Sequence, residues 1–348
     1  MAATLILFAY ISAYISPADI AFFAFLGLLY PVLLLINLLF IAFWLWRKDK
    51  LFLISTIAII VGWSFLSSFF QINFNKKDFK AKEKSLKVLS YNVRVFNLWN
   101  WSTDKNRRTK TYEFIKDVQA DIVCLQEFYS SNRYGKNAVD SLSKNSGLEY
   151  KYVSFAKNKN KVYHHGIAIF SKYPIISKGI VQLENSENFC IYTNVKVKKD
   201  TFRVYNVHLE SIHLGNVDYQ AIDNLDNDTL SNAVHYKNIL KKLETAYINR
   251  SRQVDIIAAH LEKSPYPVIV CGDFNDPPFS YSYHRITRKL KDAFKRSGLG
   301  FSSTYIHRFS VFRIDYILHS PTLKSYNYHR FKVELSDHYP IEADFLIE

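Results

Sequence analysis

The chain has 348 residues, enough for about two domains, and it is 49% hydrophobic and 16% aromatic with only 10 Gly and 9 Pro, a composition that excludes intrinsic disorder, collagen and coiled coil. All but three of its 45 Lys and Arg and all but two of its 31 Asp and Glu lie after Phe70, so residues 71–348 carry a net charge of about +13. This charge suits a polyanionic partner such as nucleic acid or an anionic membrane surface, and the nearly uncharged first 70 residues exclude a purely soluble protein.

Three apolar segments fill residues 1–70, which we expect to form a membrane anchor. Residues 51–70 lack any charge and are long enough to cross a bilayer core. Residues 20–46 are also uncharged and end in tryptophans, as interfacial segments do. Residues 3–16 are shorter, and either span a thinned bilayer or lie in its interface. Buried helices of a soluble core are the disfavoured alternative, because two such long runs in tandem are rare there.

The basic residues around the third segment give conflicting signals about orientation. The turn at residues 47–50 favours a cytoplasmic connection, which puts the large domain on the extracytoplasmic (periplasmic) face after three spans. The Lys-rich stretch after Phe70 instead favours a cytoplasmic position for the large domain. We predict a multi-pass cell-membrane protein, with the extracytoplasmic face preferred and the alternative open. Residues 71–85 are polar without an apolar period and predict a linker, so the soluble domain spans residues 86–348.

Apolar strand-like runs dominate residues 86–348. Helical spacing appears at residues 112–118 and over a long helix at 233–261. The other runs predict strands at residues 86–91, 121–126, 166–171, 189–197, 202–209, 267–272, 313–318 and 341–347. Several are apolar on both faces, which favours packed sheets covered by helices. The three cysteines lie inside these runs without metal-ligand spacing and predict buried side chains.

Polar side chains recur directly after these strands or within them. They are Asn92, Glu127, His208, Asp273, Asn275, Asp315, Asp337 and His338. The ends of strands in a rigid sheet can bring such residues together, and carboxylate and amide oxygens favour Mg²⁺, with Mn²⁺ as an alternative, over Zn²⁺. A carboxylate in an apolar strand, as at Asp315, needs a partner, and a histidine is the natural one. Taken singly, most of these residues are also compatible with turns or solvated loops.

Seven strings occur here in the order typical of one superfamily. They are Ser-Tyr-Asn-Val (90–93), Leu-Gln-Glu (125–127), Gly-Ile-Ala-Ile-Phe-Ser-Lys-Tyr-Pro-Ile (166–175), Asn-Val-His-Leu (206–209), Gly-Asp-Phe-Asn (272–275), Arg-Ile-Asp-Tyr-Ile-Leu (313–318) and Ser-Asp-His (336–338). The soluble domain therefore resembles the endonuclease/exonuclease/phosphatase superfamily, which includes deoxyribonuclease I-like, exonuclease III-like and neutral sphingomyelinase-like enzymes. The resemblance, to a membrane-anchored bacterial member, implies an α/β four-layer sandwich of two mixed β-sheets flanked by helices, here preceded by transmembrane helices.

The resemblance also implies a role for each matching residue. Glu127 resembles the principal metal ligand, and Asn92 and Asp337 its companions. Asp273 resembles the group that orients and deprotonates the attacking water, and Asn275 the amide that holds a phosphate oxygen. Asp315 and His338 resemble a buried pair whose imidazolium meets the phosphate. His208 matches a second histidine of the deoxyribonuclease-like and sphingomyelinase-like members.

Two further residues are predicted to bind substrate. Arg250 lies in the apolar stripe of the long helix, and an inward-facing guanidinium is stabilised by an anionic partner. His165 precedes the strand at 166–171, at a place that forms the substrate rim in the family. The simpler interpretations are a structural salt bridge for Arg250 and an exposed turn for His165.

These features together predict a membrane-anchored Mg²⁺-dependent phosphoesterase that hydrolyses a phosphodiester. Nucleic acid is the leading substrate class, and a phospholipid phosphodiesterase or a phosphatase is the alternative. A catalytically silent binding domain is disfavoured because every catalytic position holds a competent residue. The expected partners are the phosphodiester substrate and the lipid bilayer, and the sequence predicts no protein partner.

Overall fold

A computed structural model of the protein describes residues 1–73, 85–98, 103–131, 137–156, 163–183, 189–215, 218, 230–306 and 312–347. The helices are α1 (Ala2–Ile11), α2 (Phe22–Leu28), α3 (Tyr30–Trp46), α4 (Phe52–Val61), α5 (Trp63–Phe69), α6 (Arg107–Val118), α7 (Ala138–Ser146), α8 (Leu230–Glu262), α9 (Tyr281–Thr287) and α10 (Ala293–Ser297). The strands are β1 (Phe70–Gln71), β2 (Ser85–Asn92), β3 (Ile122–Ser131), β4 (Tyr150–Phe155), β5 (Tyr163–Ser171), β6 (Ile175–Ile180), β7 (Phe189–Val197), β8 (Asp200–His208), β9 (Val268–Asp273), β10 (Lys291–Asp292), β11 (Gly300–Phe301), β12 (Asp315–His319), β13 (Ser325–Arg330) and β14 (Ile341–Leu346).

The chain forms two compact units. The first joins Met1–Phe65 with Glu210–Asp255 and Phe279–Arg285. Within it the ring of Tyr30 lies 5.2 Å from that of Phe279, and Phe25 meets Tyr247 of α8 edge-on at 5.7 Å. The N-terminal helices thus pack on segments from the part of the chain predicted to be catalytic. The predicted division into residues 1–70, 71–85 and 86–348 stays a prediction.

The apolar N-terminal segments are broken rather than continuous helices. In the described part of the chain, no single helix has both the length and the apolarity of a membrane span. Two pairs of consecutive helices have this length and apolarity when taken together. They are α2 with α3, bent by 56°, and α4 with α5, bent by 73°. The second break lies at Gly62, where an added Cβ would come within 1.9 Å of the Tyr10 ring, so a close helix contact accompanies the bend. The membrane anchor stays a proposal.

The second unit contains two six-stranded sheets that confirm the predicted fold class. The first sheet has the order β13-β14-β2-β3-β5-β4 and the second β10-β12-β9-β8-β7-β6. Both are mixed, because β2 pairs parallel with β3 and β8 parallel with β9 while their other neighbours are antiparallel. This mixed pairing places the ends of β2, β8 and β9 and the start of β12 where polar residues can meet.

Apolar residues from both sheets form the core between them. It includes Val88, Ile122 and Ile169 of the first sheet and Val204, Ile269 and Ile317 of the second, each fully buried. The outer face of the first sheet is covered by α6 and α7 through Ile115, Ala138 and Leu142. Strands buried on both faces read as continuous apolar runs, which explains why the sequence predicted them without alternation.

The chain from Leu66 to Leu209 belongs to the second unit as far as it is described. The Ser68 carbonyl accepts a hydrogen bond from the Arg313 guanidinium at 3.0 Å, and β1 pairs with β11. The Asn73 amide donates to the Gly298 carbonyl at 2.8 Å. Most of the predicted linker, residues 74–84, lies outside the described residues.

Candidate active site

Three polar residues form one row across the second sheet. His208 ends β8 and pairs in register with Asp273, which ends the parallel strand β9. Asp315 begins the antiparallel strand β12 and pairs with Asp273 from the other side. Gly272 makes this row possible, since its φ is +150° and a Cβ there would lie 2.0 Å from the Val207 carbonyl oxygen. The strand pairing therefore converts three distant positions into neighbours.

The first sheet supplies Asn92 and Glu127. Asn92 ends β2. The sequence predicts a strand that stops at residue 126, whereas β3 continues to Ser131 through a register shift against β5. Glu127 lies in the shift with a left-handed φ of +48°. A bulge re-aims a side chain without ending the strand, and a period-two pattern cannot reveal it.

The Asn92 side chain connects the carboxylates of the two sheets. Its Nδ2 donates to Glu127 Oε1 at 3.1 Å and to Asp273 Oδ2 at 3.0 Å. His208 Nε2 lies 3.8 Å from each of the same two carboxylate oxygens. The predicted residues Asn92, Glu127, His208 and Asp273 are thus one cluster. Asn92 presents its nitrogen to the acids, and its role as a metal ligand stays a prediction.

Asp315 and His338 form the buried pair that the sequence indicated. His338 Nδ1 lies 2.9 Å from Asp315 Oδ2, and both residues are at most 4% exposed. On its opposite side, His338 Nε2 lies 3.6 Å from Asp273 Oδ2. Arg313, two residues before Asp315, forms a buried ion pair with Asp292 at 2.7 Å.

Burial and the charges of this cluster shift the pKa values of His338 and Asp273. Burial alone lowers the pKa of His338, but the charges of Asp315 and Asp273 and the hydrogen bond to Asp315 outweigh it, so that the pKa lies well above its usual value. Burial raises the pKa of Asp273, and the neighbouring His338 opposes this only in part. The site therefore pairs a persistent imidazolium with a carboxyl group of raised basicity, as acid–base chemistry requires.

The side chains of the site fit a hard divalent cation at Glu127 better than at the cluster of Asp273, Asp315 and His338. Asp273, Asp315 and His338 bring ligand atoms within 4.8 Å of one another. However, a protonated imidazole has no lone pair for a metal, and Asp315 already holds the ring. Glu127, whose side chain is 35% exposed beside the buried Asp273, offers a carboxylate of the kind Mg²⁺ binds.

Asn275 and Asp337 lie at the edges of the cluster. The Asn275 backbone N–H donates to Asp273 Oδ1 at 2.8 Å, and its side-chain amide donates to the Leu209 carbonyl at 3.0 Å. Asp337 forms a 3.2 Å ion pair with Arg94. Asn275 therefore fixes the Asp273 carboxylate in this structure, and the phosphate and metal roles predicted for Asn275 and Asp337 remain predictions.

The two predicted substrate-binding residues have separate surroundings. His165 is exposed on β5, opposite Tyr129 of β3. Arg250 is 1% exposed; its Nη1 donates to the Glu210 carbonyl at 2.9 Å, and its guanidinium lies 4.8 Å from the Tyr247 ring centre. These contacts of Arg250 are a backbone hydrogen bond and a cation–π contact, and substrate binding by either residue stays a prediction.

The sequence missed residues that support the buried pair. Thr304 Oγ1 accepts the N–H groups of Ile314 and Asp315 at 3.0 and 3.1 Å, and the Tyr305 ring meets that of His338 edge-on at 5.3 Å. The ring contact accompanies an isolated β-bridge between Tyr305 and His338. No local pattern marks such a contact, since it depends on a distant part of the chain.

The comparisons with known proteins agree with this geometry. Residues 89–338 match the model of the Endonuclease/Exonuclease/phosphatase family, and residues 1–69 match that of a domain of unknown function, DUF8431. The uncharacterized protein YbhP of Escherichia coli (strain K12) is 26% identical over 276 residues, covering 73% of this chain and 96% of that protein.

Solved structures share the fold of this chain. An endonuclease/exonuclease/phosphatase from Bacteroides vulgatus is 18% identical with a TM-score of 0.56, over 76% of this chain and all of that one. Mannosyl-6-phosphatase Bt3783 of Bacteroides thetaiotaomicron is 16% identical with a TM-score of 0.53, over 75% of this chain and all of that one. Because the family match covers most of the chain and the site residues lie together, this chain belongs to the Endonuclease/Exonuclease/phosphatase family.

Proposed function

We propose that this protein is a Mg²⁺-dependent phosphodiesterase with nucleic acid as its substrate. The observation that carries the proposal is the surrounding of Asp273. Its carboxylate lies within 3.8 Å of Asn92, His208 and His338, next to Glu127, in a fold whose family acts on phosphoesters. Hydrolysis of a phosphodiester needs an activated water, charge neutralisation and a stabilised leaving oxygen, and this cluster has a group for each.

Asp273 orients the attacking water and takes its proton. Its raised basicity suits that task, and the Asn275 backbone N–H holds its other oxygen. His338, kept cationic by Asp315, stabilises the charge that develops on the phosphoryl oxygens or protonates the leaving oxygen. The Nε2 of His208 is buried without a hydrogen-bond partner among the described residues, so it is available to a phosphate oxygen.

Glu127 would hold the metal ion, with Asn92 and Asp337 as its companions. When bound, Mg²⁺ supplies positive charge that polarises the phosphoryl group. The carboxylates of Glu127 and Asp273, which share the Asn92 amide as a donor, support this assignment, since Mg²⁺ takes oxygen ligands and keeps several waters.

The charge of the chain supports nucleic acid as the substrate. Residues 71–348 carry about +13, and a positive surface attracts a polyanion from a distance and raises its association rate.

A phospholipid phosphodiesterase is the second candidate, favoured by the exposed apolar residues of the N-terminal helices. Leu39, Ile57, Val61 and Trp63 are each between 58% and 68% exposed. Apolar side chains at this exposure are stable in lipid rather than in water. We propose that these helices place the protein in the cell membrane, with the catalytic domain on the extracytoplasmic face because of the basic turn at residues 47–50.

Substrate profiling of the full-length protein in detergent tests the proposal. The substrates are single- and double-stranded DNA, RNA, sphingomyelin, phosphoinositides, mannose 6-phosphate and bis(p-nitrophenyl) phosphate, each with Mg²⁺ or with EDTA. We expect Mg²⁺-dependent cleavage of nucleic acid, abolished by Glu127→Gln. A preference for a lipid would establish the second candidate, and turnover of mannose 6-phosphate alone would establish a phosphatase. Activity in EDTA would reject the metal role.

A further inference from the structure

A buried polar contact between the two sheets lies directly beneath Glu127. It involves Asn206 of β8 and Gln126 of β3, both 0% exposed. Polar side chains in the dry core between sheets are costly unless hydrogen-bonded, so their presence requires a reason. The reaction outlined above uses neither residue.

Asn206 binds the backbone of the first sheet at the point where its pairing is interrupted. Its Nδ2 donates to the Leu125 carbonyl at 3.0 Å and to the Ala168 carbonyl at 2.8 Å. Leu125 and Ala168 are the last paired residues of β3 and β5 before the register shift that contains Glu127. The amide of the opposite sheet thus fixes both strands at the base of the bulge.

The same side chain also holds the residue before Glu127. Gln126 Nε2 donates to Asn206 Oδ1 at 2.6 Å and to Ser90 Oγ at 3.2 Å. Glu127 itself has the left-handed φ of +48°, which is unfavourable for a residue with a Cβ and persists only when the surroundings impose it. Asn206 and Gln126 are those surroundings on the core side.

Asn206 is also linked to the rest of the cluster through its own strand. It precedes His208 by two residues on β8, so the two side chains project from the same face of the second sheet. One strand therefore carries both the histidine 3.8 Å from Glu127 and the amide that fixes the backbone beneath Glu127.

We infer that Asn206 is a positioning residue that holds the Glu127 carboxylate in place for the divalent cation. Asn206 itself touches neither metal nor substrate. The inference rests on the proposed function insofar as that function assigns the cation to Glu127. Changes beneath a ligand that disturb its orientation typically weaken metal binding about 10–100-fold.

Calorimetric titration with Mn²⁺, without substrate, tests this on the full-length protein in detergent. We expect Asn206→Ala to bind Mn²⁺ about 10-fold more weakly than wild type. The matched control is Asn194→Ala, because Asn194 is 5% exposed in the same sheet and its side chain bonds Arg203 instead. This control should lose stability but keep wild-type affinity.

A double variant shows whether Asn206 acts through Glu127. In a Glu127→Gln background, Asn206→Ala should cause no further loss of Mn²⁺ affinity, whereas an independent structural effect would add to it. If Asn206→Ala does not unfold cooperatively, Gln126→Met replaces it. This change removes the 2.6 Å bond to Asn206 and the weaker bond to Ser90, but it leaves both bonds from Asn206 to the backbone of the first sheet. It should weaken Mn²⁺ binding by up to about 10-fold.

The outcomes separate this inference from the proposed function. Wild-type Mn²⁺ affinity in the folded Asn206→Ala or Gln126→Met variant, or an equal loss in Asn194→Ala, would overturn the positioning role while the proposed function stands. Absence of Mn²⁺ binding by the wild type would instead reject the metal assignment itself, and the inference with it.

Discussion

The buried pair of Asp315 and His338 should act as one catalytic unit. Nδ1 and Oδ2 are 2.9 Å apart, and at an effective dielectric constant of about 20 this corresponds to an attraction of about 6 kcal/mol before desolvation. This attraction keeps the imidazole protonated. Asp315→Asn should therefore remove the cation near neutral pH, even though Asp273 lies 3.6 Å from the other ring nitrogen.

The hydrolysis rates of the Asp315 and His338 variants distinguish a coupled pair from two residues that act independently. General acid catalysis is worth about 10²–10⁴-fold, so Asp315→Asn and His338→Ala should each slow hydrolysis at least about 100-fold. A unit predicts that the double variant is about as slow as the worse single one, whereas independent roles predict a loss of about 10⁴-fold. The difference is about 2.7 kcal/mol of activation free energy.

The pH dependence supplies a second measurement. The rate of bis(p-nitrophenyl) phosphate hydrolysis should fall at alkaline pH as His338 loses its proton, and in Asp315→Asn this fall should begin at lower pH. Since the pKa of His338 is raised by folding, the pair stabilises the fold fully below the unfolded pKa of about 6.5. That stability is lost as pH rises through the raised folded pKa.

The control replaces a comparable carboxylate away from the site. Asp292→Asn disrupts the buried 2.7 Å pair with Arg313 and should lower stability without moving the alkaline limb. A double variant whose loss equals the product of the single losses, together with an unmoved alkaline limb, would refute the coupled pair.

Three further predictions concern the metal, a buried acid and the second ion pair. Glu127→Gln should lose several orders of magnitude in rate and recover in part at high Mn²⁺, because an amide is the weaker ligand; a metal titration of the rate measures this, and an unchanged metal dependence would contradict it. Burial raises the pKa of Glu342 to about 7, with Lys87 3.7 Å away opposing it, so stability should fall as pH rises from about 4.5 to 7. Glu342→Gln should abolish that fall and raise the free energy of unfolding at pH 8 by up to about 3 kcal/mol, as urea melts at several pH values would show. Asp292→Asn leaves the buried Arg313 charge uncompensated and should cost about 3–5 kcal/mol in the same melts, and a cost below about 1 kcal/mol would contradict this account.

The sequence by itself determined the fold class and the residues of the central cluster. Apolar runs specified the strands because burial on both faces leaves no room for polar side chains. The polar residues at their ends stood out for the same reason: Asp273 and Asp315 interrupt runs that packing alone would keep apolar. Matching strings in a fixed order then indicated the family, which the comparison of residues 89–338 confirmed.

Only the tertiary structure decided how these residues act on one another. The register of β9 with β8 and β12 joins Asp273 to His208 and Asp315, and the bulge in β3 turns Glu127 without ending the strand. Asn206, Thr304 and the packing of the N-terminal helices on Phe279–Arg285 were likewise invisible in the sequence. The physical reason is that strand pairing and side-chain contacts join residues tens to hundreds of positions apart, whereas hydrophobic periodicity records only the local alternation between buried and exposed.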